Sequence, residues 1–414
     1  EQARQTAAQL PGATKADYNT VTAPAAVEPN DKLFGPRQWN LDQIKAPQGW
    51  SRTTGKRSTV IAVIDTGMNF DHPDLRDKIW ENEGEVPVNG IDDDRNGYVD
   101  DANGMDFVMP NGMTGANFIN DFNGPFDETF TGEYNYVSGH GTAVGSAAAG
   151  TTNNGLGVAG VDWQARLMPL RVCAPLCDYS RVAAALRYAA DNGADVVNMS
   201  LGGLPQGPSF VDDAVQYAIG KGVIVVIASG NDGQGAQVAY PGRIPGAIAV
   251  GAVGPTDERK GYSNGGGALS VVAPAGITTA YYKGGKYEAG VEGTSLSTPE
   301  VTGLVGLMLA INPDLTPAEA KSILEQTADK VPDMKGKDKT NLYGFGRINV
   351  DRALKRVETI TVQKNQNIDI KGKKKKDKAA KKKAKQDKKA EQKRKAEEKK
   401  QADAKKKAEK KKKK

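Results

Sequence analysis

Short apolar runs alternate along the chain with longer segments whose apolar positions recur every three to four residues. TVIAVID (59–65), ARLMPLRV (165–172), ADVVNMSLGG (194–203), VIVVIASGNDG (223–233), AIAVGAV (247–253) and LSVVAP (269–274) read as strands, several of them apolar throughout. YSRVAAALRYAADNG (179–193), FVDDAVQYAIGKG (210–222), TPEVTGLVGLMLAIN (298–312) and TPAEAKSILEQTAD (316–329) read as helices. The last has Thr316 as its cap and Pro317 at its first helical position. This alternation predicts a central, mostly parallel sheet flanked by helices. Ligands of such sheets gather beyond the carboxyl ends of the strands. Asp65, Ser200 and Asn231 all sit at or just past predicted strand ends.

Composition divides the chain. From Lys371 onward there are 25 Lys and Arg against 7 Asp and Glu, while the first 370 residues hold 31 and 43. The formal charge of +6 therefore averages an acidic body and a basic tail. We read residues 1–29 as an arm or residual linker, 30–357 as the folded body, 358–370 as a linker and 371–414 as a Lys-rich extension, disordered or transiently helical. That tail has no apolar face with which to build a core. Without aromatics among its lysines, any nucleic-acid contact would be to the backbone only, and polyanions such as wall polymers or acidic lipid are equal candidates. The longest apolar run, Gly303 to Ile311, is too short to span a membrane. The two cysteines, Cys173 and Cys177, either pair in a small local loop or stay as free thiols.

Candidate chemistry narrows quickly because the chain has only two histidines, His72 and His140. His140 lies in SGHGTAVGSAAAG (138–150), where flanking glycines let another group approach its ring. His72 sits in the charged, turn-like DHPDL and reads as structural. Asp65 closes an apolar strand in VIDTG, a costly place for a carboxylate unless it is hydrogen-bonded or paired. An imidazole acting as a base needs such a partner. Ser295, in EGTSLSTPEV (292–301), follows a glycine at a helix start. Its hydroxyl becomes nucleophilic once a base removes the proton. Asn231, in the glycine-framed loop ASGNDG, could donate to an oxyanion.

VIDTG, GHGT and GTSLSTP in this order resemble the subtilisin-like serine proteases, and PNDKLF (29–34), QWNL and IKAPQGW are similar to the amino-terminal segment of their thermitase-like branch. The likeness spans about residues 30–357. It implies a subtilisin-like three-layer α/β fold and a secreted or cell-surface, monomeric endopeptidase acting on polypeptides. Asp65, His140 and Ser295 would be the catalytic triad and Asn231 the oxyanion donor. NMSLGG (198–203) resembles the family's substrate-pocket wall, so Ser200, Leu201, Gly202 and Gly203 would line an extended peptide. Two positions depart from the family pattern: Ala143 stands where a second histidine is common, and Leu296-Ser297 where Met-Ala is common.

Calcium is expected at one or two sites. NGIDDDRNGYVDDANG (89–104) sets oxygen donors at alternating positions in Asp92, Asp94 and Asn96, with Asp100 and Asp101 completing the set. Five carboxylates within ten residues repel one another without a cation. A second site follows from the resemblance alone: Asp31, Asp74 and Asn154, with carbonyls of Thr151, Leu156 and Val158. Two other functions stay open at this level: a non-catalytic scaffold on the same fold, or a polyanion-binding protein working through its tail.

Overall fold

The computed structural model describes residues 25–108, 139–174, 176–203, 206–233, 235–281 and 285–412. Most of the amino-terminal arm, residues 1–24, lies outside them. The predicted apolar runs become strands β1 (Val60–Asp65), β3 (Arg166–Arg171), β4 (Val196–Met199), β5 (Ile224–Ala228), β6 (Ile248–Val253) and β7 (Leu269–Pro274), joined by the two-residue β2 (Met105–Asp106). They form one parallel sheet in the order β2-β3-β1-β4-β5-β6-β7. The six longer strands are buried almost throughout, which is why they read as continuous apolar runs.

One face is covered by α5 (Tyr179–Asp191) and α6 (Ser209–Gly220), whose Val182, Leu186, Val211 and Val215 share a core with Val60, Ala62 and Ile64 of β1. The other face carries α4 (His140–Ala149) and α7 (Thr294–Ile311), packed against each other. The chain is thus a three-layer α/β fold. Helices α1 (Phe34–Arg37), α2 (Trp39–Gln43) and α3 (Ala46–Trp50) precede β1, a hairpin of β8 (Ile277–Ala280) and β9 (Tyr287–Val291) follows β7, and α8 (Pro317–Thr327) follows α7. Thr316 caps α8 in a reciprocal capping box with Glu319. By length and composition α7 could cross a membrane, but it is 89% buried and serves as the core helix.

The chain divides into two compact units, residues 1–357 and 358–414. The final helix, α9 (Val350–Lys412), begins in the first unit, where Ala353, Leu354 and Val357 are buried, and forms all of the second that is described. Residues 358–370 and the described tail residues continue this helix, so helix is the state shown of the two expected for the tail. Ala, Lys, Gln, Glu and Arg are strong helix formers, and no proline interrupts the segment. Two i,i+4 ion pairs, Glu391–Lys395 and Arg394–Glu398, offset part of the like-charge repulsion.

Glu300 lies fully inside α7, with one carboxylate oxygen 2.5 Å from Asn40 Nδ2 and the other unpartnered. Burial holds its carboxyl well above the ordinary 4.5. The folded state keeps this proton longer than the unfolded state does. Its contribution is therefore greatest at low pH and declines as pH rises from 4.5 through the folded-state value. Glu300→Gln should remove that decline. Thermal melts from pH 4 to 8 in a Ser295→Ala background should show the variant gaining on its parent by at least roughly 2 °C as pH rises.

Candidate active site

The sheet order reverses at β1, opening a crevice over the strand ends. A cavity of about 670 Å³ lies there, lined by Asp65, Thr66, His140, Ser200, Leu201, Gly202, Gly203, Asn231 and Ser295 among others. Every residue singled out for catalysis or substrate contact thus borders one space.

Asp65 ends β1, and one of its oxygens accepts from the Thr66 amide at 2.7 Å and faces His140 Nδ1 at 2.8 Å. A carboxylate on Nδ1 leaves Nε2 as the base nitrogen. His140 is the first residue of α4, and the helix abuts the β1 end because Gly141 has no side chain: a Cβ there would stand 2.0 Å from the Gly67 carbonyl oxygen. The Gly141 amide donates to Thr66 Oγ1 at 3.0 Å, and the Asn69 amide to Thr142 Oγ1 at 2.9 Å, tying the two segments. Ala143 is buried one turn on, in the cluster with Leu296 and Ile277. Both departures from the family pattern therefore pack together as core.

Ser295 lies in the first turn of α7, where Gly293, at φ 117°, admits the tight entry. Pro299, inside the same helix, has no amide to bond the carbonyl of Ser295 four residues back. Ser200 Oγ donates to that carbonyl instead, at 2.8 Å. Ser200 in turn accepts from Asn198 Nδ2 at 2.9 Å, and Asn198 Oδ1 accepts from Thr302 at 2.8 Å, joining β4 to α7. The Ser200 side chain is buried and bonded to α7, while its carbonyl accepts from Ser295 Oγ at 3.1 Å beside the cleft. Of the neighbouring hydroxyls, Ser297 donates to the Pro274 carbonyl and Thr298 to the Thr294 carbonyl.

Asn231 Oδ1 accepts from both the amide and the hydroxyl of Thr294, each at 2.9 Å. The Nδ2 group is thereby turned toward the cleft. A Cβ placed on Gly293 would lie 3.6 Å from Asn231 Nδ2 and 3.6 Å from the Ser295 amide nitrogen, so two donors converge on one small space. Asn264 steadies the loop, accepting from the Asp232 amide and donating to its carboxylate. Tyr262 adds a prop that sequence reasoning missed: its hydroxyl accepts from the Gly293 amide at 2.9 Å. Nothing local in GYSNG marks it, because the contact is 31 residues away.

His72 is fully buried, edge-on to Tyr287, with Nδ1 accepting from the Asp74 amide and Nε2 3.0 Å from the Lys286 carbonyl. Both ring nitrogens are used by backbone. The cysteines form a disulfide, Cys173–Cys177, which settles the alternative left open by the sequence.

In the acidic loop, Glu85 stands beside two of the expected donors. Carboxylate oxygens of Glu85, Asp92 and Asp94 lie within 4.8 Å of one another. The two oxygens of Asp100 accept from the Asn89 and Gly90 amides, and Asn96 Oδ1 accepts from the Tyr98 amide. Both close turns within the loop. Glu85 was missed because it precedes the alternating pattern; one of its oxygens is buried without a partner. Residues of the second expected site are bonded to one another: Asp74 accepts from Asn154 Nδ2 and the Val158 amide, its carbonyl accepts from the Thr151 amide, and Asn154 Oδ1 accepts from the Leu156 amide. Asp31 accepts from the Asn153 amide and keeps one buried oxygen unpartnered. Burial, and then the nearby Asp74 carboxylate, raise the Asp31 carboxyl above its ordinary range.

Comparison with known proteins supplies the class. A model described as the Subtilase family (peptidase S8) matches residues 56–346, so the chain belongs to the subtilase family and is a subtilisin-like serine endopeptidase. It is 32% identical over 329 residues to thermitase of Thermoactinomyces vulgaris, covering 79% of this chain and 99% of that one. It is also 32% identical over 320 residues to subtilisin E of Bacillus subtilis (strain 168), covering 76% and 70%. Among solved structures, a protease from Pseudoalteromonas arctica PAMC 21717 superposes with a TM-score of 0.65 at 30% identity, covering 80% of this chain and 99% of that one.

Ser200→Ala should strip the donor from the Ser295 carbonyl, lowering stability by about 1 kcal/mol. Adding Pro299→Ala supplies a backbone amide for that carbonyl and should recover part of the loss. Scanning calorimetry of the single and double variants checks both steps.

Proposed function

We propose that Asp65, His140 and Ser295 form the catalytic triad of this endopeptidase, with Asn231 and the Ser295 amide as the oxyanion donors. The observation that carries the reading is the 2.8 Å contact between Asp65 Oδ1 and His140 Nδ1 on the same cleft as the Ser295 hydroxyl. His140 Nε2 takes the proton from Ser295 as Oγ attacks the peptide carbonyl. Asp65 fixes the tautomer and stabilises the imidazolium. The developing oxyanion enters the space beside Gly293, between Asn231 Nδ2 and the Ser295 amide. His140 then returns its proton to the leaving amine, and water hydrolyses the acyl-enzyme. An extended substrate lies along Leu201, Gly202 and Gly203. The positive φ of Gly202, 147°, and of Gly203, 152°, suits residues without a side chain and keeps this edge open to peptide backbone.

Calcium is proposed as a structural ion at the Asp31–Asp74–Asn154 cluster and at Glu85, Asp92 and Asp94. The fit rests on buried carboxylate oxygens of Asp31 and Glu85 that lack a protein partner. A bound divalent cation would neutralise these carboxylates and stabilise the folded state by mass action. We further read the protein as secreted or surface-associated and monomeric, with its Lys-rich helix as a contact for polyanions. The Cys173–Cys177 disulfide is in keeping with an oxidising compartment.

Casein hydrolysis should fall at least about 10³-fold in Ser295→Ala. Hydrolysis at the wild-type rate by that variant would refute the mechanism. Separately, a chelator should lower the melting temperature of the Ser295→Ala protein, and Asp31→Asn should shrink the chelator's effect. An identical melt with and without chelator would remove calcium from the account.

A further inference from the structure

Between β6 and β7, residues 260–264 are bonded to both halves of the site that would receive the oxyanion. On one side, the Tyr262 carbonyl accepts from the Gly233 amide at 2.8 Å, and the Asn264 amide donates to the Gly230 carbonyl at 2.9 Å. These two bonds grip the Asn231 loop at each end. On the other side, the Tyr262 hydroxyl accepts from the Gly293 amide at 2.9 Å, just ahead of α7. One residue therefore reaches the loop that carries Asn231 with its backbone and the turn that carries Ser295 with its side chain.

The turn needs such a hold. Gly293, at φ 117° and ψ 151°, adopts a backbone conformation that suits glycine, and glycine has the most freedom to lose. Three successive amides follow one another there. The Gly293 amide goes to Tyr262 Oη and the Thr294 amide to Asn231 Oδ1, each at 2.9 Å. Fixing these two peptide planes aims the third amide, that of Ser295. The Tyr262 hydroxyl has a single proton, which it donates to Glu292 Oε2, so its lone pairs are left to accept from Gly293. Lys260 Nζ donates to the other Glu292 oxygen at 2.9 Å, a charge-assisted bond that keeps the carboxylate beside the hydroxyl. Because Glu292 directly precedes Gly293, the chain of contacts closes on itself.

We propose that Tyr262 is a positioning residue for the reaction: it sets the separation of the two oxyanion donors, and the Lys260–Glu292 pair keeps its hydroxyl directed at Gly293. The inference rests on the reading of Asn231 Nδ2 and the Ser295 amide as those donors. Donors of this kind act on charge that develops only in the transition state. A misplaced pair therefore lowers kcat and leaves KM alone. Outright removal of one donor costs about 10²- to 10³-fold, so misplacement should cost less than that.

The test is a double-mutant cycle on the full chain, read with a quenched fluorescent peptide that the wild type cleaves. Tyr262→Phe keeps the ring and removes the hydroxyl; kcat should fall about 10-fold with KM held within about 2-fold. In an Asn231→Ala background one donor is already gone and the separation no longer matters. There Tyr262→Phe should cost less than about 3-fold. A purely structural tyrosine would cost the same factor in both backgrounds, and that result overturns the proposal. So does an unchanged kcat, or a loss confined to KM. Glu292→Gln removes the charge but not the shape, and should lower kcat by about 3-fold, again less in the Asn231→Ala background. If Tyr262→Phe fails to fold, this second variant supplies the cycle. An unchanged kcat in Glu292→Gln overturns the part given to the ion pair. Wild-type kcat in Asn231→Ala alone overturns the oxyanion reading on which the proposal rests.

Discussion

The site depends on how closely the start of α4 approaches the end of β1. With a side chain at position 141 the helix would have to withdraw from Gly67 and Asp65, carrying the His140 ring away from the carboxylate it faces. The same economy of volume recurs where α7 crosses its neighbours. A Cβ on Gly303 would lie 2.4 Å from the Ala148 carbonyl oxygen, and one on Gly306 would lie 2.5 Å from Asp162 Oδ2. The two helices that carry His140 and Ser295 are thus set against each other by backbone contact at Gly303. Interiors packed at this density transmit small displacements. A methyl group added far from the cleft would therefore be felt within it.

Much of this is readable in the sequence because the relevant signals are local. A strand covered on both faces appears as an unbroken apolar run, and β6 and β7 are legible for that reason. Asp65, His140 and Ser295 each stand in a short context of glycines and small residues that betrays close approach. What stays hidden is pairing across long separations. Glu85 joins Asp92 and Asp94 only after the acidic loop folds back, and Ser200 finds the Ser295 carbonyl 95 residues away. The β9 strand escapes notice because its central residues are exposed and give no buried alternation. Composition alone left the tail between disorder and helix, because the helix propensity of Lys, Ala and Glu is set against the repulsion among its lysines.

Pro299 shows how one residue links these levels. A proline inside a helix forfeits an amide and frees a carbonyl one turn earlier. Here the freed carbonyl belongs to Ser295, and the hydroxyl that takes it comes from the end of β4. The defect in the helix becomes the joint between the helix and the strand end beside the cleft. The proline follows Ser297 and Thr298, whose hydroxyls return to backbone carbonyls, so the hydroxyl-rich entry to α7 divides its work residue by residue.

The terminal helix has a consequence for the chain as a charged object. At 1.5 Å per residue, its stretch from Glu358 to Lys412 runs roughly 80 Å, about ten screening lengths at physiological salt. Charges at its two ends do not sense each other. The isoelectric point near 8.9 is consequently an average over blocks of opposite sign and describes neither. By composition the molecule is a block polyelectrolyte, acidic in its body and basic in its terminal helix.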